Sequence, residues 1–123
     1  MQSIIRKKSY GSVKVTFLNR KLLKKRIKKI VVDLAKEKPE LRKVVLFGSV
    51  AEDRSLPSSD VDVLFIVEST NLRFLDRASE YLSYFQSISL DVDCFVYTEE
   101  EVHSGNHPMV FTAFETGITL FQR

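Results

Sequence analysis

The amino-acid sequence predicts one α+β domain that covers residues 1–123, and three observations lead to this expectation. The apolar runs Val44–Phe47 and Val61–Val67 have the length and the β-branched content of buried strands. From Arg20 to about Glu37, apolar residues recur at helical spacing and leave the lysines on the opposite face. A chain of 123 residues is long enough to bury one core but too short for two.

Composition and charge are those of an ordinary soluble protein. The chain is 44% hydrophobic and 28% charged, and no apolar run approaches the ~20 residues of a membrane-spanning helix. Met1–Lys8 does not resemble a secretory signal, because its charges follow a very short apolar pair. Cys94 is the sole cysteine, which excludes an internal disulfide and favours a cytoplasmic location. The net charge is +3, and Arg20–Lys29 carries seven basic residues that would attract nucleic acid, a nucleotide or an acidic partner.

The N-terminal part is expected to form a loose end, a strand and a long helix. Residues 1–11 are polar and end in a glycine, so we expect a loosely ordered N-terminus. Val13–Phe17 alternates apolar and polar residues, which is typical of a half-buried strand. Asn19 is a candidate N-cap for the helix, and Pro39 ends it because the residue before a proline avoids helical geometry.

A second helix is expected from about Leu72 to Gln86, after a cap at Ser69–Asn71. Five residues at helical spacing are predicted to pack in the core: Leu72, Leu75, Ala78, Leu82 and Phe85. Tyr81 and Tyr84 fit either core packing or base stacking, and the sequence does not separate the two.

The remaining elements follow from strand, cap and turn signals. Ile88–Tyr97 is predicted to be a third strand, and Thr98–Glu101 forms a capping box at the start of a helix. We expect a last helix over Pro108–Glu115, ended by Gly117, and a final strand over Ile118–Phe121. His103 and His107 have no Cys or Asp at metal-ligand spacing, which favours ordinary loop or cap roles.

The stretch between the two central strands carries the candidate chemistry. Gly48 and Ser49 follow the first strand, where a glycine lets backbone N–H groups approach a phosphate and the serine hydroxyl adds a donor. Asp60 and Asp62 enter the second strand, where side chains two residues apart share a face. Two carboxylates so close repel each other, and a divalent cation such as Mg²⁺ would remove that cost. The pattern therefore predicts a phosphate-binding turn beside a metal-binding carboxylate pair.

The predicted third strand brings a further carboxylate pair, Asp91 and Asp93. A site with two metal ions needs a third acidic ligand on a neighbouring strand, and either residue can supply it. The alternative for this pair is surface charge that discourages aggregation. From the residues alone, the choice between Asp91 and Asp93 stays open.

Gly48-Ser49, ten residues and Asp60-Val61-Asp62 together resemble the signature of the DNA polymerase β-type nucleotidyltransferase superfamily, and the short chain resembles its minimal branch. The family pattern is Gly-Ser-x-Ala-Arg-Gly, a loop of fixed length, then Ser-Asp-x-Asp and an apolar strand. The residues in register here are Gly48, Ser49, Ala51, Pro57, Ser59, Asp60 and Asp62. Glu52 and Asp53 depart from the family, since they stand where it usually has Arg-Gly.

This resemblance implies a nucleotidyltransferase fold, with a mixed β-sheet and helices packed mainly on one face. It implies transfer of a nucleoside monophosphate, with ATP as the expected donor, to an acceptor hydroxyl. Asp60, Asp62 and Asp93 would hold two Mg²⁺ ions, and Gly48, Ser49 and Ser59 would contact the nucleotide. In the minimal branch the partner is commonly a helical HEPN-type toxin whose tyrosine is adenylylated, so an antitoxin-type role is expected.

Two interpretations of other classes remain open. The first alternative to the enzyme is a non-catalytic relative that binds and neutralises a partner, as Glu52 and Asp53 would favour. The second is a nucleic-acid-binding module that uses the Arg20–Lys29 face. A homo-oligomer that builds a cleft between subunits is also compatible with the sequence.

Overall fold

A computed structural model of the protein describes residues 3–123. Its main sheet has the strand order β5-β4-β3-β6, with β3 over Leu41–Phe47, β4 over Val61–Val67, β5 over Val92–Thr98 and β6 over Ile118–Gln122. β3 runs antiparallel to both β4 and β6, whereas β4 and β5 are parallel. The predicted mixed sheet is therefore confirmed. No helix among the described residues is long and apolar enough to span a bilayer.

Helix α1, Arg20–Glu37, covers one face of this sheet and has the predicted bounds. The Asn19 side chain accepts a hydrogen bond from Leu22 N at 3.1 Å, which caps the helix as expected. Leu23, Ile27 and Val31 are fully buried in the larger core on this face. Burial of such an apolar stripe, at about 25 cal/mol per Å², is the main term that holds the helix on the sheet.

The opposite face has a smaller core beneath helix α5, Pro108–Thr116. Val110 and Ala113 of this helix pack in one cluster with Val45 and Leu64 of the sheet. Gly117 caps the helix, and a Cβ there would stand 2.5 Å from Val45 Cγ1. The helical segment after β4 also packs in the larger core on the α1 side, so the expectation of helices mainly on one face is confirmed.

Residues 5–10 differ from the expectation of a loose end over residues 1–11, of which residues 1 and 2 lie outside the described part of the chain. Strand β1, Ile5–Tyr10, pairs antiparallel with strand β2, Val13–Leu18, in a two-stranded hairpin. Gly11 adopts φ +62° at the turn, a left-handed conformation in which glycine carries no steric penalty. Asn19 N–H donates to Ile4 O at 2.6 Å, which ties the hairpin to the start of α1.

The helix predicted from about Leu72 to Gln86 is wrong in its continuity. The segment is broken into α2, Phe74–Arg77, α3, Ser79–Leu82, and a 3₁₀ turn, Ser83–Phe85.

The predicted apolar stripe of this segment is wrong in part. Leu72, Leu75 and Leu82 are exposed, Ala78 is half-buried against the core, and Phe85 is buried as expected. Tyr81 is buried too and stacks on Phe65, with ring centroids 4.5 Å apart. Aromatic packing, rather than the leucine spacing, thus sets the rotation of this segment on the sheet.

The C-terminal elements follow the sequence closely. Thr98 and Glu101 form the predicted capping box at helix α4, Glu99–Ser104. β5 begins at Val92 rather than at the predicted Ile88. Ile88 and Leu90 lie in the connection before the strand and are buried there, which explains why their apolar character resembled that of a strand.

Candidate functional site

The site begins where β3 ends, at the turn of Gly48 and Ser49. Gly48 has φ +78°, in the left-handed region that side chains disfavour. A Cβ built on Gly48 would also collide with Asp62 Oδ2 and lie 3.3 Å from Asp62 Cγ. The Asp62 carboxyl group therefore lies directly against the Gly48 backbone, and glycine is required here on both counts.

The loop after Gly48 is closed by its own backbone. Glu52 N–H donates to Gly48 O at 3.1 Å, and Arg54 N–H donates to Ser49 O at 2.9 Å. Asp53 has φ +56°, the only positive φ outside glycine among the described residues. Because Asp tolerates left-handed backbone better than most residues, Asp53 can stand where the family usually has a glycine.

The two acidic residues of this loop are each paired with a cation. Arg54 Nη2 lies 3.0 Å from Glu52 Oε2, and Lys24 Nζ of α1 lies 2.6 Å from Asp53 Oδ1. These exposed pairs contribute little stability, but they offset the negative charge that would oppose a phosphate. Glu52 and Asp53 thus do not leave the loop anionic.

The rest of the loop is anchored to α1 by a contact that the sequence did not reveal. Arg20 donates from Nε and Nη2 to Ser55 O, at 2.9 and 2.6 Å. Ser55 is fully buried, and its hydroxyl has no hydrogen-bond partner among the described residues. Arg20 and Ser55 are 35 residues apart, so no local pattern could signal this pairing.

Ser59, a predicted nucleotide contact, lies in the bend just before Asp60. Leu56 N–H donates to the Ser59 hydroxyl at 2.8 Å, and Ser59 N–H donates to Leu56 O at 2.9 Å. This reciprocal pair shapes the bend that delivers Asp60 to β4.

Two of the predicted carboxylates, Asp62 and Asp93, lie on one face of the sheet, and Asp62 contacts the Gly48 turn. Asp62 pairs in register with Asp93 across the parallel β4–β5 ladder, so both side chains point to the same face of the sheet. Burial, then the Asp93 charge and then the Asp60 charge raise the pKa of Asp62 above its ordinary value. Asp60 and Asp93 are exposed, whereas Asp62 is half-buried.

Asp91 is placed differently from Asp93. It precedes β5, and its backbone oxygen accepts from Val61 N–H at 2.8 Å. Of the two later aspartates, Asp93 is the one whose charge acts on Asp62.

The chemistry of these residues fits a divalent cation that is shared with a substrate. No Lys or Arg of the described chain forms an ion pair with Asp60, Asp62 or Asp93. No group of three or more His, Cys, Asp or Glu side chains within residues 3–123 is placed to hold a metal ion. Mg²⁺ commonly takes one or two carboxylates and completes its shell with phosphates and water. A cation would also relieve the repulsion that raises the pKa of Asp62.

Other candidate residues lie outside this cluster. His103 is exposed in α4, and the His107 ring packs against Tyr97 with centroids 4.8 Å apart. Burial, with a smaller effect of Asp93, raises the pKa of the Cys94 thiol to about 12, so Cys94 is a core residue rather than a nucleophile.

The mixed sheet has helices on both faces, and its Gly48 turn lies beside the aspartates at the start of β4 and β5. These features define the α+β nucleotidyltransferase fold. The family model described as nucleotidyltransferase domain matches residues 24–117, and the chain belongs to this enzyme family. No curated protein sequence matches the chain.

Solved structures agree with this assignment. A candidate nucleotidyltransferase from Sulfolobus solfataricus is 26% identical, with a TM-score of 0.61 over 85% of this chain and 84% of that one. A toxin–antitoxin structure with AMP-PNP is 20% identical, with a TM-score of 0.62 over 78% and 73%. A mutant of the toxin–antitoxin MntA-HpeT, with two aspartates replaced by glutamate, is 18% identical, with a TM-score of 0.59 over 78% and 73%. At these lower identities the likeness shows the fold.

Proposed function

We propose that residues 1–123 form a single, cytoplasmic nucleotidyltransferase domain that transfers AMP from ATP to a hydroxyl of a protein partner. The main support is the pairing of Asp93 with Asp62 across the β4–β5 ladder, together with the position of the Asp62 carboxyl group on the Gly48 turn. In this arrangement a triphosphate bound at the turn would lie beside the carboxylates that carry its metal ions.

Each residue has a separate role in this proposal. The Gly48 and Ser49 backbone and the Ser49 hydroxyl bind the β- and γ-phosphates, and Ser59 holds the bend before Asp60. Asp60 and Asp62 would hold one Mg²⁺ and, with Asp93, a second; when bound, these ions neutralise charge on the triphosphate and the leaving pyrophosphate. Asp93 also orients the acceptor hydroxyl and accepts its proton.

The transfer needs no nucleophilic side chain on this protein. The acceptor oxygen forms a bond to the α-phosphorus while the bond from that phosphorus to the pyrophosphate oxygen breaks. The hydroxyl proton passes to Asp93, and pyrophosphate leaves with the electron pair. Positioning and charge neutralisation supply the rate enhancement.

A toxin partner of the HEPN type, modified on a tyrosine, is the acceptor that we propose. Structural neighbours whose names include toxin–antitoxin and AMP-PNP support this choice of partner and nucleotide. The exposed positions of Asp60 and Asp93 are compatible with an acceptor as large as a folded protein.

The test has two steps: whether a HEPN-type protein is encoded beside this gene, and whether that protein is labelled. With Mg²⁺, label from [α-³²P]ATP should reach the partner, whereas label from [γ-³²P]ATP should not. Asp60→Asn and Asp93→Asn should abolish labelling, and Asp91→Asn is the matched control that should retain it. Equal labelling by wild type and Asp60→Asn would refute the proposed site.

The non-catalytic alternative makes a different prediction. A protein that only sequesters a partner should show no metal-dependent affinity for ATP in calorimetry. The ion pairs of Glu52 and Asp53 with Arg54 and Lys24 remove the charge argument that favoured this alternative.

A further inference from the structure

The positive charge of the protein is concentrated at its N-terminal end. Residues 1–32 contain eleven of the nineteen Lys and Arg residues and no Asp or Glu. All sixteen acidic residues lie in the remaining chain, which is therefore net negative. This separation of basic and acidic residues along the chain indicates an anionic partner for the N-terminal end, because a net charge of +3 needs no such separation to keep the protein in solution.

The β1–β2 hairpin interleaves basic and aromatic side chains on one face. In an antiparallel ladder directly paired residues share a face, and the register pairs Arg6 with Phe17 and Tyr10 with Val13. Lys8 alternates onto the same face, and its Nζ lies 5.8 Å from the centre of the Tyr10 ring. Ile5 and Leu18, paired on the opposite face, pack against the core.

This hairpin face is exposed and its charges are unneutralised. Tyr10 and Phe17 keep 53% and 43% of their surface exposed, although aromatic rings of a folding core would be covered. No hairpin cation forms an ion pair with a carboxylate of residues 3–123. An open groove of about 450 Å³ runs along the hairpin to Asn19, the N-cap of α1.

We propose that the hairpin face, defined by Arg6, Lys8, Tyr10 and Phe17, binds single-stranded nucleic acid. Basic side chains follow a phosphate backbone, and aromatic rings between them stack on unpaired bases of any sequence. A protein partner of purely acidic character would match the charges but would give the exposed rings no stacking surface. Binding at this face is independent of the proposed nucleotidyl transfer.

The test is fluorescence anisotropy of the full chain with a labelled single-stranded RNA of about 20 nucleotides, in buffer without ATP or Mg²⁺. Tyr10→Ala and Phe17→Ala should each weaken binding about five-fold or more, whereas Phe111→Ala is the matched control that should not. Phe111 is 67% exposed on α5, so its truncation removes a comparable ring from another surface.

Charge is tested by neutralising two hairpin cations. The Arg6→Gln/Lys8→Gln pair should reduce the slope of log K against log salt by about 1.4, at ~0.7 per phosphate contact. Lys36→Gln/Arg73→Gln changes the net charge equally and should leave the slope unchanged. The charge-conserving variant Arg6→Lys/Lys8→Arg should bind the RNA like the wild type. Circular dichroism with thermal melting checks that each variant is folded.

Several outcomes would overturn the proposal. For the variants, these are equal weakening of RNA binding by Arg6→Gln/Lys8→Gln and by Lys36→Gln/Arg73→Gln, or no loss of binding in Tyr10→Ala and Phe17→Ala. For the ligands, these are equal affinity for a duplex of the same sequence, or competition by anionic lipid vesicles as strong as that by unlabelled RNA. Asp60→Asn should bind the RNA like wild type, so failure of the nucleotidyltransferase site and failure of the hairpin site give different results.

Discussion

Replacement of Asp62 by Asn should stabilise the metal-free protein while it abolishes nucleotidyl transfer. Burial, Asp93 and Asp60 all raise the pKa of Asp62, so its ionised form is less favourable in the folded chain than in the unfolded one. Asn has nearly the same shape and fits against Gly48, but it carries no charge. The substitution therefore removes a repulsion that the folded protein bears at neutral pH.

The strand geometry sets the size of this effect. Neighbouring strands lie about 4.8 Å apart, and two unit charges about 5 Å apart repel by ~0.8 kcal/mol in water and ~3 kcal/mol at an effective dielectric of ~20. Asp93 and Asp60 are exposed, so solvent screening places the gain near the lower limit, about 1 kcal/mol. For a chain of this size that corresponds to a rise in Tm of about 4 °C.

Thermal unfolding with and without Mg²⁺ checks the prediction. At about ten times its Kd, Mg²⁺ should stabilise the wild type by ~1.4 kcal/mol and have little effect on Asp62→Asn. Because the folded-state pKa of Asp62 is raised, the wild type should recover stability as the pH falls through it toward the ordinary value of 3.8, and the two Tm values should converge. Asp76→Asn, at an exposed carboxylate paired with Arg73, is the control. A lower Tm for metal-free Asp62→Asn would refute the reasoning.

Three further predictions concern other parts of the fold. Gly48→Ala should lower the free energy of unfolding by about 2 kcal/mol or more and abolish transfer, because the added Cβ would collide with Asp62. Gly11→Ala, also at positive φ but in open space, should cost about 1 kcal/mol of stability and keep activity. Urea unfolding and the labelling assay measure both variants. Arg77→Ala should lose about 2 kcal/mol at pH 7, because Arg77 Nη1 lies 2.6 Å from Glu101 Oε1 in a largely covered pair. Burial alone would raise the pKa of Glu101, but the Arg77 and Thr98 hydrogen bonds hold it below its ordinary value of 4.5. The part of this loss that comes from the ion pair should therefore disappear in urea titrations as the pH falls through the lowered pKa, whereas the part from the Arg77 bonds to the Leu72 and Val96 carbonyls should remain. Cys94 should resist iodoacetamide at pH 8 in the folded protein and react in urea, as mass spectrometry would show; rapid native labelling would contradict its burial.

The elements that local chemistry specifies were predictable from the sequence. The α1 stripe and Asn19 cap, the β4 run and the Thr98–Glu101 capping box each depend on residues close together in the chain. The Gly48 turn and the Asp60–Asp62 pair were equally predictable, because both lie at the connection between the neighbouring strands β3 and β4.

Features that depend on distant partners were not predictable. The Arg20 contact to Ser55 joins separate parts of the chain, and the residues alone did not distinguish Asp93 from Asp91, because the β4–β5 register decides which of them pairs with Asp62. The β1 strand was missed because Arg6, Lys7 and Lys8 are consecutive and place exposed cations on both faces of the strand, so the sequence shows no alternation of apolar and polar residues. The segment after Leu72 was misjudged because its buried residues are the aromatic ones that pack on Phe65. Helical spacing alone does not distinguish these aromatic residues from the leucines.

The strand order leaves β5 at the border of the sheet. No strand of the described chain pairs with its outer side, where the Arg77 guanidinium donates a hydrogen bond to the Val96 carbonyl at 3.1 Å. An extended segment of another protein can join such a border through backbone hydrogen bonds. Asp93 lies near the start of β5, so a docked segment would bring its side chains alongside this carboxylate without any lid having to open.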